Sequence, residues 1–304
     1  MRVGFIGLGT IGLPIALNLA EAGVDLLASS RSEAGFDAVR KAGASATTKL
    51  GDFSDCEVMF LCLPNGDVVD EVLFGGCGIA ASAGLKIVVD LSTIDHSQAI
   101  SIATRLEEAG IGFLDAPVSG MRARAVDGSL TLMCGGPKHM FDAVVPLFQT
   151  FATKILYMGQ AGNGQLTKLV NQLLFDINMA AIAELMPLVA RLGLDPDLVE
   201  SVVNSGTGRS YASEFFLPRI LKGSFQDGYP MGHAYKDLVS GAMISTAQRH
   251  PMPVLAAATT TYQMALREGL GHLDKGAMIQ PYERIAGARF RSDVKKEDSH
   301  GPAA

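Results

Sequence analysis

The sequence lacks an excess of positive charge: lysine and arginine number 25 against 31 aspartates and glutamates, a formal charge of −6. That balance offers no overall attraction to nucleic acid or to an anionic membrane, and a small-molecule partner fits better. Cysteine is scarce. The four present, Cys56, Cys62, Cys77 and Cys134, show no CxxC spacing, which argues against a disulfide framework and fits reduced core thiols of a cytoplasmic protein. The histidines, at 96, 139, 233, 250, 272 and 300, fall at no metal-ligand spacing and do not combine with the cysteines, so no metal is expected. No run of about 18 apolar residues free of breakers occurs, and no membrane span is expected. The first apolar run carries only Arg2 ahead of it and is interrupted by glycines, unlike an export signal. A G-x-S-x-G elbow is missing too, and with it the case for hydrolysis.

What is present is a rhythm. The 304 residues suffice for two domains. From Met1 to about Gly159, the runs RVGFIG, DLLAS, EVMFLCL, KIVVDLS, GFLDAPVS, SLTLMCGG and KILYMG alternate with helical patterns. Such alternation predicts an α/β fold, a doubly wound parallel sheet covered by helices on both faces. Beyond Gly164 the strand signal stops and helical periodicity continues to about Gly287. The expected organisation is therefore 1–162 as a nucleotide-binding domain, 163–290 as an all-α substrate and subunit-contact domain, and 291–304 as a charged, poorly ordered tail. The first helix of the second part should begin near Gly164 or Gln165, run towards Leu192, and span roughly 40 Å. It is apolar on nearly every face around Leu173 to Leu185, which predicts burial on several sides and a homodimer or homotetramer. Pro187 inside it predicts a kink or break.

Gly7, Gly9 and Gly12 form G-x-G-x-x-G between the apolar strand Val3–Ile6 and a helical pattern. The first glycine permits a tight turn, the second lets a pyrophosphate approach the backbone, and the third lets helix and strand pack closely. With Leu8, Thr10 and Ile11 they make a dinucleotide-binding turn of the Rossmann kind, with phosphates on the helix N-terminus. At the end of the second strand, where a carboxylate would favour NAD(H), stand Ser29, Ser30, Arg31 and Ser32. An arginine with hydroxyls suits a 2′-phosphate, so NADP(H) is expected over NAD(H). The plainer alternative is that Arg31 and Ser32 open a solvated loop and cap the next helix.

Further motifs follow in order: CLPN (62–65), DLST (90–93), DAPVSG (115–120), AVDGSLTLMCGG (125–136), GNGQLTKLVNQ (162–172) and YKDL (235–238). With the glycine turn, they make the chain similar to the β-hydroxyacid dehydrogenase family, which includes 3-hydroxyisobutyrate dehydrogenase and tartronate semialdehyde reductase. The resemblance covers residues 2 to 287 and implies a fold like that of 6-phosphogluconate dehydrogenase. It also implies that Lys168 is catalytic. The chemistry agrees: a carbonyl reduced by hydride leaves an alkoxide that needs a proton and nearby positive charge, and burial would lower the lysine pKa towards working pH. Otherwise Lys168 simply snorkels to water.

Gln172, one turn later, should share the face of Lys168, and the resemblance implies that it helps hold substrate, while Asn171 points elsewhere and braces the helix. Ser119 with the amides of Gly120 and Met121 forms a nest suited to a carboxylate. The family usually has glycine where this chain has Met121, whose side chain should reshape the pocket. Arg122 and Arg124, just beyond, are read as solvated surface, the alternative being contact with an anionic group on a longer substrate. The resemblance places Lys236, beside Asp237, over the cofactor and substrate, and Leu63, Pro64, Asn65 and Thr93 should line the cofactor groove at the strand ends. Arg209, Tyr211 and Arg219 are candidates either for substrate contact or for docking between subunits. These readings together imply an NAD(P)-dependent oxidoreductase acting on a hydroxy acid or semialdehyde. The rivals are an imine reductase, against which Lys168 argues, and a non-catalytic NADPH sensor or scaffold.

Overall fold

The computed structural model describes residues 1–76 and 78–292, and the chain divides into two compact units, Met1–Lys168 and Leu169 onward. Residues 293–304, most of the charged tail, and Cys77 lie outside the described residues.

In the first unit, nine described strands form one sheet: β1 (Val3–Ile6), β2 (Leu26–Ser29), β3 (Ser45–Thr47), β4 (Val58–Leu61), β5 (Ile87–Asp90), β6 (Gly112–Asp115), β7 (Val118–Ser119), β8 (Leu130–Gly135) and β9 (Ala152–Gly159). The helices between them are α1 (Gly12–Glu21), α2 (Phe36–Lys41), α3 (Gly66–Phe74), α4 (His96–Glu108), α5 (Met121–Val126) and α6 (Lys138–Phe148). The order β3-β2-β1-β4-β5-β6 is parallel throughout, the doubly wound arrangement whose strand order reverses beside β1.

Two sequence expectations need correction. The sheet is not parallel throughout, because β8 runs antiparallel to β6 and β7. The run GFLDAPVS is two strands rather than one, since Ala116 and Pro117 separate β6 from β7. Side chains alternate between two cores. Val3, Phe5, Phe60, Phe148 and Phe151 pack on one face with Ile15 and Leu19 of α1. Ile6, Met59, Leu61, Val69 and Ile102 pack on the other. Each such fully buried phenylalanine contributes about 1.5–3 kcal/mol of transfer free energy.

The second unit contains most of α7 (Asn163–Arg191), followed by α8 (Pro196–Ser205), α9 (Tyr211–Leu221), α10 (Met231–Gln248), α11 (Pro253–Arg267) and α12 (Ile279–Ala286). Helix α7 buries Met179, Ile182, Ala183 and Met186 at helical spacing against Phe216, Leu217 and Ile220 of α9 and Tyr262 of α11. It runs unbroken through Pro187. Proline removes one donor close to the helix end, so one hydrogen bond is lost without ending the helix. The expected burial on several sides is also absent within this chain: Val170, Leu174, Leu185 and Leu188 are about half exposed or more. By length and composition α7 could cross a membrane, with a mean hydropathy of 1.7 over its most apolar window. The run still contains Asp176, Glu184 and Pro187, and core helices of globular proteins pass the same test. At the end of the described chain, Arg291 pairs with Glu283, so the ordered structure reaches past residue 290.

Candidate active site

The glycine turn follows β1 at the C-terminal edge of the sheet. Gly7 has φ +111°, and a Cβ there would lie 2.2 Å from the Cys62 carbonyl oxygen. A Cβ on Gly12 would lie 1.9 Å from the Gly7 carbonyl oxygen. A Cβ on Gly9 would meet nothing within 4 Å. Two glycines are thus required by the fold itself, while the middle one borders open space that a pyrophosphate can enter. Helix α1 begins here with no side-chain cap on its first amides, which favours an anion at its positive end. Leu8 is buried in the core and Thr10 is exposed, with Ile11 half-buried. The turn therefore fits a dinucleotide.

Beyond β2, Ser30 is half-buried and Arg31 and Ser32 are exposed. Helix α2 starts only at Phe36 behind Gly35 with no side-chain cap, so Ser32 does not cap it. After β4, the Leu63 amide donates to Ser92 Oγ at 2.9 Å, and Asn65 Oδ1 accepts from the Val68 amide at 3.0 Å. Asn65 therefore caps α3, with Pro64 exposed beside it. Thr93 is half-buried in the turn after β5.

At the end of β7, Ser119 and Gly120 are half-buried. Gly120 has φ +142° and Met121 φ +59°, so a methionine occupies left-handed backbone that costs an L-residue about 1–2 kcal/mol. Arg122 and Arg124 are exposed.

Two buried carboxylates and a glutamine complete this edge. Asp90 and Asp115 are register partners on β5 and β6, and both are fully buried. Asp115 Oδ1 accepts from the Gly162 amide at 2.7 Å and Oδ2 from the Gln165 amide at 2.8 Å. Gln165 Nε2 donates to the Ser92 carbonyl at 2.8 Å, and its Oε1 accepts from the Ile94 amide at 3.2 Å. Lys168, three residues further along α7, is 8% exposed. Burial pushes Asp90 up to about 6, against the hydrogen bonds from Ser92. It likewise pushes Asp115 to about 6, against its amide donors. Asp90, Asp115 and Gln165 all lie inside motifs read from the sequence, yet were given no role there. The available signal was a carboxylate ending an apolar strand.

In the helical unit, Gln172 Nε2 donates to Asp237 Oδ2 at 3.4 Å. Asn171 is exposed and reaches Gln172 Oε1 at 3.3 Å. Lys236 is exposed on α10 beside the buried Asp237. Arg219 donates to the Phe215 carbonyl at 2.6 Å and covers the Phe215 ring. Arg209 lies 3.6 Å from Glu214, and the Tyr211 ring packs on Phe175 and Phe215. These three are engaged in their own unit's packing. No group of three or more metal-ligating side chains occurs among the described residues, and Cys56, Cys62 and Cys134 are free thiols.

Residues 2–159 match the NAD binding domain of 6-phosphogluconate dehydrogenase, and residues 162–282 match the NAD-binding domain of NADP-dependent 3-hydroxyisobutyrate dehydrogenase. The chain is 35% identical over 293 residues to 2-(hydroxymethyl)glutarate dehydrogenase of Eubacterium barkeri, covering 94% of this chain and 96% of that one. It is 32% identical over 288 residues to 2-hydroxy-3-oxopropionate reductase of Escherichia coli, with 94% and 98% covered. The crystal structure of 3-hydroxyisobutyrate dehydrogenase from Salmonella typhimurium superposes with a TM-score of 0.82 at 28% identity, covering 92% of this chain and 99% of that one. With a glycine turn shaped for a dinucleotide and both parts of the chain matched, the protein belongs to the β-hydroxyacid dehydrogenase family of nicotinamide-dependent oxidoreductases.

Proposed function

We propose that the protein interconverts a short 3-hydroxy carboxylate and its semialdehyde or 3-oxo acid, with NADP(H) preferred over NAD(H). The observation that carries this reading is Lys168, buried on a helix whose first turn is hydrogen-bonded to strand β6 and to the turn after β5. The named substrates of the relatives share a carboxylate with an oxidisable oxygen on the β-carbon, and the same chemistry suits the groups gathered here. The nicotinamide supplies or accepts hydride when bound.

The protein's own part is binding, orientation and proton transfer. The Gly9 gap and the α1 N-terminus take the pyrophosphate, with Leu8, Thr10, Ile11 and Thr93 nearby in the chain's turns, and Leu63, Pro64 and Asn65 border the same strand ends. Ser30, Arg31 and Ser32 take the 2′-phosphate. Ser119 Oγ and the amides of Gly120 and Met121 hold the substrate carboxylate. Gln172, oriented by Asp237, bonds the reacting oxygen, and Lys168 Nζ gives that oxygen its proton or removes it. Lys236 adds positive charge for the anionic ligands.

Residues 1–162 act as the cofactor domain and 163–290 as the substrate and subunit-contact domain, in a cytoplasmic homodimer or homotetramer. The test is a comparison of kcat/KM for NADPH and NADH, followed by Lys168→Ala. The reading expects NADPH to be preferred, and turnover to fall by about 10²–10⁴-fold in the variant while NADPH still binds. A preference for NADH would remove the Arg31 assignment, and near-normal turnover of Lys168→Ala would remove the lysine's.

A further inference from the structure

We propose that Gln165, seated on Asp115, is a positioning residue that sets the direction in which α7 presents Lys168 to the Ser92–Ile94 turn. The proposal rests on the reading of Lys168 as the proton donor. The first amides of a helix need acceptors from outside it, and one capping side chain usually supplies them. At the start of α7, Asn163 instead turns its side chain back to the Met158 carbonyl at 2.8 Å. The acceptor comes from Asp115, which takes the Gly162 and Gln165 amides on its two oxygens.

The seat for that carboxylate is built into the surrounding backbone. A Cβ on Gly135 would lie 2.6 Å from Asp115 Oδ1, and one on Gly164 would lie 2.8 Å from Oδ2. Any side chain at either glycine would push the carboxylate away. Gln165 then uses both ends of its own amide, donating to the Ser92 carbonyl and accepting from the Ile94 amide.

A cap fixes where a helix begins but leaves its rotation about its axis loosely set. Here the Gln165 backbone is held by β6 and its side chain by the turn after β5. Two anchors on one residue fix the rotation as well. Lys168 follows by three residues, about 300° around the helix, so it lies within roughly 60° of the Gln165 direction. The turn that Gln165 grips contains Thr93. The bracket thus links the proposed proton donor to a proposed cofactor-lining turn through four hydrogen bonds, all within the first unit.

The experiment uses the full chain and two variants: Gln165→Met, which keeps the volume and removes both side-chain bonds, and Gln165→Glu, which keeps the shape. Reductive methylation of Lys168, followed by mass spectrometry without any substrate, reports the lysine's presentation independently of activity. Turnover and the NADPH Kd report function. For Gln165→Met, Lys168 should methylate several-fold faster and kcat should fall about tenfold to a hundredfold, with the NADPH Kd unchanged. For Gln165→Glu, turnover relative to the parent should recover as pH falls from about 8 towards about 5, because burial beside Asp115 raises the introduced carboxyl and its protonation restores a donor towards the Ser92 carbonyl. That recovery would not follow from a general loss of stability, and it keeps the test informative if the methionine variant folds poorly.

Unchanged methylation and kcat in Gln165→Met, or a Gln165→Glu variant with no pH-dependent recovery, would overturn the proposal. If the parent reduces no carbonyl substrate while Lys168 methylation still responds to Gln165→Met, the bracket stands and the proposed reaction fails.

Discussion

A methionine in left-handed backbone at position 121, beside the proposed carboxylate nest, is a local expense with a measurable signature. Met121→Gly should be more stable than Met121→Ala by about 1 kcal/mol, since alanine keeps the steric cost and glycine does not. Denaturant unfolding measures this, and equal stability would show that the backbone is not strained. Asp90 offers a second residue-scale prediction. Its carboxyl titrates at about 6 in the folded chain against 3.8 as the ordinary value, so the folded state holds its proton longer than the unfolded one. The associated stability is fully present below pH 3.8 and is lost as pH rises through 6. The stability of the parent minus that of Asp90→Asn should therefore fall by about 2 kcal/mol between pH 4 and pH 7. A flat difference across that window would remove the assignment.

At the scale of elements, the glycine turn separates folding from binding. Gly12→Ala should unfold more readily, because its Cβ would sit against the Gly7 carbonyl, whereas Gly9→Ala should melt like the parent and bind NADPH more weakly. Loss of stability in Gly9→Ala, or unimpaired binding, would contradict the division of labour. This turn was legible in the sequence because its residues are adjacent and each glycine has a local steric reason. So were the apolar parallel strands and the long helix α7. Strand β3, Ser45–Thr47, was not. It is a three-residue edge strand of small residues, paired with β2, with Ser45 exposed and Ala46 and Thr47 half-buried, so it carries no apolar run. The role of Asp115 escaped for a different reason. Its partners are 47 and 50 residues away, and only the folded sheet brings them together. No break occurs at Pro187 because it stands in the last turns of a long helix, where one missing donor does not end the hydrogen-bond ladder.

At the scale of the whole molecule, the division into a parallel-sheet unit and a helical unit follows from a change of periodicity that the sequence displays openly. The expected burial of α7 on several sides is what a single chain does not provide. Leu188 is 49% exposed, and on α8 Leu198 and Val202 are 67% and 68% exposed. Under the proposed homo-oligomer these residues meet another copy. Sedimentation should then return a mass that is a multiple of 32.0 kDa, and Leu188→Glu with Leu198→Glu should lower it by placing charge in the apolar contact. A monomeric parent, or an unaffected mass in the double variant, would count against that interface.

The class of reaction is decided by the absorbance of NADPH with purified protein and, in turn, tartronate semialdehyde, succinic semialdehyde, glyoxylate and methylmalonate semialdehyde. Rapid loss of the reduced cofactor is expected with at least one of these carboxylate-bearing aldehydes. Tight NADPH binding with no loss in the presence of any of the four would contradict the proposed reaction.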